Sequence, residues 1–260
     1  MMEAKKSGAG HRKYKLCRRI LGNPIVEEDT YCREIKDGKP HGDGEVNDAG
    51  EREGVGVMVY ASGNMYEGQW RAGQQEGVGT YHIATGDKYV GQYVADQMEG
   101  QGTFHYADGD RYEGEWVAGK KEGKGMFHFA DGDRYEGEYV ADKKEGKGTK
   151  HFADGNRYEG EWVAGLYEGQ GTYHHATGER YDGESIAGKK EGKGTFHYAD
   201  GEVEVGRYKG DEGVGEGAKW SADRATAWRT SDGKKGEPIS LEEAAQIAER
   251  VGLPVPGAAA

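Results

Sequence analysis

Aliphatic side chains are scarce in this chain. Leu, Ile, Val and Phe supply only 33 of its 260 residues, and the formal net charge is −12. Low hydrophobicity with high charge is the composition of chains that cannot bury enough apolar surface to fold. Long apolar runs are missing too. No stretch of about 18 apolar residues exists to cross a bilayer as a helix. The charged stretch 1–20 lacks the apolar core of a secretory signal, so the expected compartment is the cytosol. Cysteine is limited to Cys17 and Cys32, which form no C-x-x-C pair, so free thiols are expected. What the chain has instead is 47 Gly, 17 Tyr and 5 Trp. Large rings stabilise through burial, and a disordered chain has little use for them. The average composition therefore misleads, and the order of the residues must explain the glycines.

That order is a repeat. Tyr returns at a constant interval, at Tyr66, Tyr89, Tyr112, Tyr135, Tyr158 and Tyr181, in blocks such as YEGEWVAGKKEGKGMFHFADGDR from Tyr112 to Arg134. A degenerate copy begins at Asp43, and a shortened one follows residue 203. Within a block, Tyr112, Gly114 and Trp116 alternate with Glu113, Glu115 and Val117, and Gly123, Gly125 and Phe127 alternate with Lys124 and Met126. Alternation with period two predicts two short strands, hence one β-hairpin per block. A six-residue loop such as VAGKKE is expected to join the two strands, and a tight Asp-Gly turn to lead into the next block. Rings and glycines fall on one face, so each Tyr or Trp is expected to lie over the bare glycines of neighbouring strands. Strand spacing makes successive repeats roughly 10 Å apart.

The string Y-x-G-x-W-x-x-G-x-x-x-G-x-G, intact at 66–79, 112–125 and 158–171, resembles the MORN (membrane occupation and recognition nexus) repeat. The resemblance implies an all-β repeat solenoid, an elongated single-layer antiparallel sheet of about eight such hairpins. Similar repeats occur in radial-spoke heads, junctophilins, parasite basal-complex proteins and plant phosphatidylinositol phosphate kinases, where the role is docking or positioning. Ser185 replaces the second ring, Lys150 replaces Phe or Tyr, and Asp96 and Asp142 replace the loop glycine, so local softening is expected there. No kinase domain is expected within the stretch 204–260, which holds no nucleotide loop or H-R-D loop.

The flanks differ in charge. The stretch 1–26 carries Lys5, Lys6, Arg12, Lys13, Lys15, Arg18 and Arg19 against Glu3, whereas residues 66–203 hold 16 basic and 26 acidic residues. The basic head is read either as a solvated tail or as a contact for anionic lipid, each cation near such a surface contributing about 1 kcal/mol. Residues 1–42 are thus expected to form a partly disordered basic segment, 43–215 the array, and 216–260 a hairpin with a capping helix. In that last region Trp220 and Trp228 flank a turn. Ser240 with Glu243 makes a capping box ahead of the apolar stripe Leu241, Ala244, Ala245, Ile247, Ala248 and Val251, giving a helix over about 241–251 that Gly252 and Pro254 stop. It either caps the sheet or docks on a partner.

Candidate chemistry falls into columns. His82, His105, His128, His151, His174 and His197 recur with the period, but ligands roughly 10 Å apart cannot share an ion held at about 2 Å. A solvated strand face is expected, with joint titration near pH 6 as the sharper possibility. Glu76, Glu99, Glu122, Glu145, Glu168 and Glu191 precede glycines. A one-layer sheet gives them no cleft for acid–base work, so they are expected to close loops. The Gly-x-Gly units open no helix and are not phosphate loops. No catalytic residue, metal or cofactor is expected, and a repeat region of such acidity disfavours nucleic acid. The expected function is a non-enzymatic scaffold that presents the repeat sheet to a protein partner, cytoskeletal or flagellar. The alternative is membrane tethering, including phosphoinositide, through the basic head. Trp70, Tyr93, Trp116, Tyr139 and Trp162 are the candidate partner-binding rings, with a purely core role as their competing reading. An exposed end strand also offers pairing to a second copy.

Overall fold

The computed structural model describes residues 19–20, 23–24, 28–37 and 39–257. They fall into two compact units, up to Gln97 and from Met98 onward. In the first unit a two-residue pair, β1 (Arg19–Ile20) and β2 (Asn23–Pro24), precedes an antiparallel sheet. That sheet comprises β3 (Thr30–Lys36), β4 (Lys39–Asp43), β5 (Gly54–Val59), β6 (Met65–Arg71), β7 (Gln74–His82) and β8 (Lys88–Val94). Pairing into this sheet therefore begins at Thr30, within the segment 1–42 and ahead of the array start expected at 43. The reason is that β3 lies between β4 and β5, with Cys32 opposite both Asp43 and Val57.

The second unit continues the pattern strand by strand. Its elements are β9 (Gln97–His105), β10 (Arg111–Val117), β11 (Lys120–His128), β12 (Arg134–Val140), β13 (Lys143–His151), β14 (Arg157–Val163) and β15 (Leu166–His174). Then come β16 (Arg180–Ile186), β17 (Lys189–His197), β18 (Val203–Lys209), β19 (Glu212–Trp220), β20 (Ala227–Ser231), β21 (Lys234–Ile239) and the helix α1 (Leu241–Val251). Each strand from β10 to β20 pairs antiparallel with its chain neighbours, so the sheet is a run of consecutive hairpins.

Bare glycine backbone makes the core possible. Gly114 of β10 lies opposite Gly125 of β11, and the Tyr112 ring lies across both. Tyr66, Tyr112, Tyr135, Tyr158 and Tyr181 are at most 2% exposed although only one layer of sheet supports them. Each donates its hydroxyl to a carbonyl three residues on, as Tyr112 does to Glu115 O at 3.2 Å. The second rings meet them edge to face: Trp116 at 5.2 Å and Tyr139 at 5.1 Å from Tyr112. Such pairs add about 0.5–1.5 kcal/mol beyond their burial. The side of the sheet bearing these rings is called the ring face below.

The turns reverse the expected assignment. The tight connection is Ala118-Gly119 between β10 and β11, with φ of 48° and 79°, which is a two-residue turn left-handed at both positions. The Asp-Gly dipeptide belongs to a five-residue connection, 129–133, closed by Phe129 N–H donating to Asp133 O at 2.9 Å. Alanine is a poor signal for left-handed backbone because its Cβ crowds the carbonyl. Here the glutamate one period back compensates: Glu99 Oε2 accepts the Ala118 N–H at 3.0 Å, and Glu122 accepts that of Ala141 at 2.9 Å. The glutamate column thus closes loops, as its spacing suggested. Asp96 and Asp142 correct the expectation of softening, because each carboxylate accepts an amide of the preceding hairpin, Gln75 at 2.8 Å and Lys121 at 2.9 Å.

The helix caps the second unit. Ser240 Oγ accepts the Glu243 N–H at 3.1 Å, and Gly252 at φ 82° ends α1. Its buried residues Ala244, Ile247, Ala248 and Val251 pack on Val205, Ala218, Trp220 and Ala227. Val205 lies across from Thr195 of β17, on the side of the sheet opposite the rings. The helix therefore packs where that side turns apolar. In the first unit Cys32, Val57, Val59 and Met65 form a smaller apolar cluster. Cys32 is a buried thiol donating to Glu34 O at 3.3 Å, and Cys17 lies outside the described residues.

Candidate functional site

The five rings proposed for partner binding are core. Trp70, Tyr93 and Trp116 are 3% exposed, Tyr139 and Trp162 2%, and the Trp116 Nε1–H donates to Gly102 O at 3.3 Å. Curvature does not turn them outward: Trp70, Tyr93, Tyr139 and Trp162 each lie edge-on to at least two tyrosines, and Trp116 lies edge-on to Tyr112. Of the basic residues proposed for lipid contact, Lys5, Lys6, Arg12, Lys13, Lys15 and Arg18 lie outside the described residues, and Arg19 falls in β1.

What the second unit offers instead is its other side, the polar face. Strand alternation sends Arg111, Glu113 and Glu115 to the face opposite Tyr112 and Trp116. Pairing then interleaves columns that looked separate along the chain. Arg111 lies beside His105 and His128, Arg134 beside His128 and His151, Arg157 beside His151 and His174, and Arg180 beside His174 and His197. Histidines one period apart are thus bridged by arginines into one continuous row. Below it Glu113, Glu136, Glu159 and Asp182 alternate with Thr103, Met126, Thr149, Thr172 and Thr195. A third row sets Lys124 beside Glu138 and Lys147 beside Glu161. Reading the sequence block by block hid these rows, since neighbours across strands come from different blocks.

This face is concave. A groove of about 1660 Å³ runs along it from Gln101 to His197, and the segment Gly252–Gly257 after α1 lines one end. Where the rows reach β18 they become apolar: Val203 follows His197 and Val205 follows Thr195, which is the surface α1 covers. Among the described residues no group of three His, Cys, Asp or Glu is placed to hold a metal ion. No described helix is long and apolar enough to cross a membrane.

The arginines set the state of the histidines. Arg157 Nη2 lies 2.9 Å from His174 Nε2 and Arg180 Nη2 3.0 Å from His197 Nε2. Since a guanidinium only donates, His174 Nε2 accepts and its imidazole is neutral, whereas His197 Nε2 is shared between Arg180 and Asp182 Oδ2, the latter also at 3.0 Å. Burial, then the flanking arginines, hold His128, His151 and His174 below the usual imidazole value. Glu113, Glu136, Glu159 and Asp182 oppose the shift. His197 is lowered by burial and Arg180, and His82 by burial and Lys88. The unfolded chain therefore binds protons more readily than the native sheet, so stability is complete above the ordinary value near 6.5 and falls as pH drops through it. The thermal midpoint at pH 5.5 is expected several degrees below that at pH 8. A flat profile between those pH values would refute the neutral histidine row. Losses below about pH 4.5 belong to carboxylates such as Glu202, held down by its hydrogen bond to Lys219.

A chain of hairpins with Tyr and Trp laid over paired glycines, one hairpin per period, defines a β-repeat array. The MORN repeat family model matches at 48–65, 66–88, 89–111, 112–134, 135–157, 158–180 and 181–203. The chain belongs to the MORN-repeat family, whose repeats are modules for protein and membrane interaction. Among curated proteins none matches the sequence. Solved structures with a similar run of strands include the TCP10 domain of zebrafish (Danio rerio) CPAP, 11% identical over 75% of this chain and 92% of that one, with a TM-score of 0.44. Another is the TCP domain of Drosophila melanogaster SAS-4 in complex with a proline-rich motif of Ana2. It is 13% identical over 66% of this chain and 98% of that one, with a TM-score of 0.40. Both scores fall below 0.5, so the likeness is one of strand arrangement and says nothing of what this chain binds.

Proposed function

We propose that this protein is a non-enzymatic scaffold that docks a protein partner of cytoskeletal or flagellar assemblies along the polar face of its second unit. The observation that carries the reading is the division of labour between the two faces. The ring face is consumed by its own packing, while the polar face lines a groove with ordered rows of charge. Charged rows favour recognition of a register, because a partner displaced by one strand meets the wrong sign. The groove is open and lined by part-exposed charged rows, not by a dry cleft, which favours binding over turnover. Affinity capture with the full chain as bait, compared with Glu136→Lys and Glu159→Lys, tests the reading. Each reversal is expected to weaken a specific partner about tenfold. Partners retained equally by wild type and both variants would remove the groove from the interaction.

The segregation of charge favours a second reading, in which the basic head holds anionic membrane while the repeats act as a spacer. Flotation of the full chain with anionic vesicles, against a variant with Lys5, Lys6, Arg12, Lys13 and Lys15 changed to Gln, separates the two. Salt-sensitive flotation lost in the variant supports tethering. Absence of flotation in both removes it.

A further inference from the structure

Three lysines stand over the ring face at the same position of the period: Lys121, Lys144 and Lys190. Each ammonium is enclosed by three rings. For Lys144 these are Tyr135, Phe129 and Trp162, with centroids at 4.8, 4.9 and 5.4 Å. For Lys121 the rings are Tyr106, Tyr112 and Phe127 at 5.2–5.7 Å, and for Lys190 they are Tyr181, Phe196 and Tyr208 at 5.2–5.5 Å. Ring faces favour the charged form of all three. What separates the boxes is therefore the other charge around them.

Lys121 and Lys190 each have a carboxylate at hand. Asp142 Oδ1 and Asp211 Oδ1 accept the backbone N–H of Lys121 and Lys190, both at 2.9 Å, and Lys121 Nζ also donates to the Tyr106 hydroxyl at 3.2 Å. At Lys144 the same loop position is Gly165, which donates its amide to Lys144 O at 3.0 Å and brings no charge. The ring expected after it in the repeat is Lys150, whose ammonium stands 5.3 Å from the Phe129 centroid in the same box. Lys150 also takes the carboxylate that faces this box, with Nζ 2.7 Å from Asp133 Oδ2. A departure from the repeat pattern, at Lys150, and the pattern's own uncharged glycine at 165 thus meet around one half-buried amine.

We infer that Lys144 is a modification site, a lysine whose Nζ acts as a neutral nucleophile toward acyl thioesters. Burial, then the Lys150 ammonium, bring its own ammonium down to about 8, with Asp133 opposing and Lys121 adding to the shift. Desolvation and a neighbouring cation are the two general ways of activating a lysine amine. At pH 7.5 an ordinary lysine is neutral to about 0.1%, whereas one at 8 is neutral to about a quarter. In the step, the Nζ lone pair adds to the thioester carbonyl carbon. The C–N bond forms, the C–S bond breaks, and the thiolate leaves and takes up the proton released by Nζ. The product amide is uncharged, so the box keeps the balanced Lys150–Asp133 pair alone. This site is on the ring face and does not depend on docking at the polar face.

The test is acetylation of the full chain by a limiting small-molecule acetyl thioester from pH 6.5 to 9.5, with the rate at each lysine read by peptide mass spectrometry. At pH 7.5 Lys144 is expected to react about tenfold faster than Lys121, Lys190 and the exposed Lys143 and Lys147, allowing for its lower basicity. Its rate should be half-maximal near pH 8. Gly165→Asp supplies the carboxylate that the other two boxes have, at a left-handed position that Asp142 already tolerates with φ 72°. Lys150→Tyr supplies the missing ring. Each should bring Lys144 to the rate of Lys121 with the thermal melt retained. If Lys144 reacts no faster than Lys143 and Lys147 in the wild type, the inference falls, whatever the variants do. It falls equally if either folded variant leaves the rate at Lys144 unchanged.

Discussion

Gly125→Ala is expected to cost the array roughly 3 kcal/mol or more, an unusually large effect for one added methyl group. An ideal Cβ on Gly125 would lie 2.6 Å from Cζ of Tyr112, well inside van der Waals contact. The ring cannot retreat. It is fully buried, its hydroxyl is bonded to Glu115 O, and Trp116 and Tyr139 stand edge-on against it. Moving it would break the ring contact within its own repeat and the one to the next, and in a repeat array nearest-neighbour contacts carry the stability. Gly119→Ala is the matched control. Its φ is 79° and nothing lies within 4 Å of the added Cβ, so only backbone strain of about 1 kcal/mol is expected. Urea melts of the two variants decide the matter. Equal, small shifts would mean that the rings are not seated on the glycines.

The contrast explains which features could be read from the chain. Period, strand number per repeat and ring-over-glycine packing were legible because each depends on residues within one block, such as Tyr112, Gly114 and Gly125. The cap of α1 was legible for the same reason, with Ser240, Glu243 and Gly252 all local. The turn assignment was not. Ala118 adopts a left-handed φ of 48° because Glu99, from the preceding period, accepts its amide. The arginine–histidine row was not legible either, since Arg134 and His151 become neighbours only once the register is known. The glycine at 123, with φ 60°, shifts that register by a bulge at Gly114/Glu115, and no pattern along a single strand announces it. The fate of Trp116 and its equivalents depended on how tightly successive repeats close, which is a property of the assembled sheet.

Ile247→Asp is the second large effect, expected at about 4 kcal/mol and confined to one end of the second unit. Ile247 is fully buried among Val205, Trp220 and Ala227. The substitution removes that apolar contact and places a carboxylate where no cation is at hand, two costs of about 2 kcal/mol each at the least. The ion pairs that clasp α1 to the sheet, Arg250 with Glu216 at 2.8 Å and Glu243 with Arg229, are exposed and cannot make up the difference. The helix should therefore leave the sheet, uncovering Val203, Val205, Ala218, Trp220 and Ala227 as a contiguous apolar patch. A red shift in Trp220 emission and concentration-dependent association would report it. The repeats from Tyr112 to Tyr181 hold their own ring contacts, so their amides should keep protection from hydrogen exchange while those of β18 to β20 lose it. Loss of protection across all repeats at once would mean that the second unit folds as a single cooperative block whose stability rests on its cap. Unchanged emission would mean that α1 contributes little to holding that end closed.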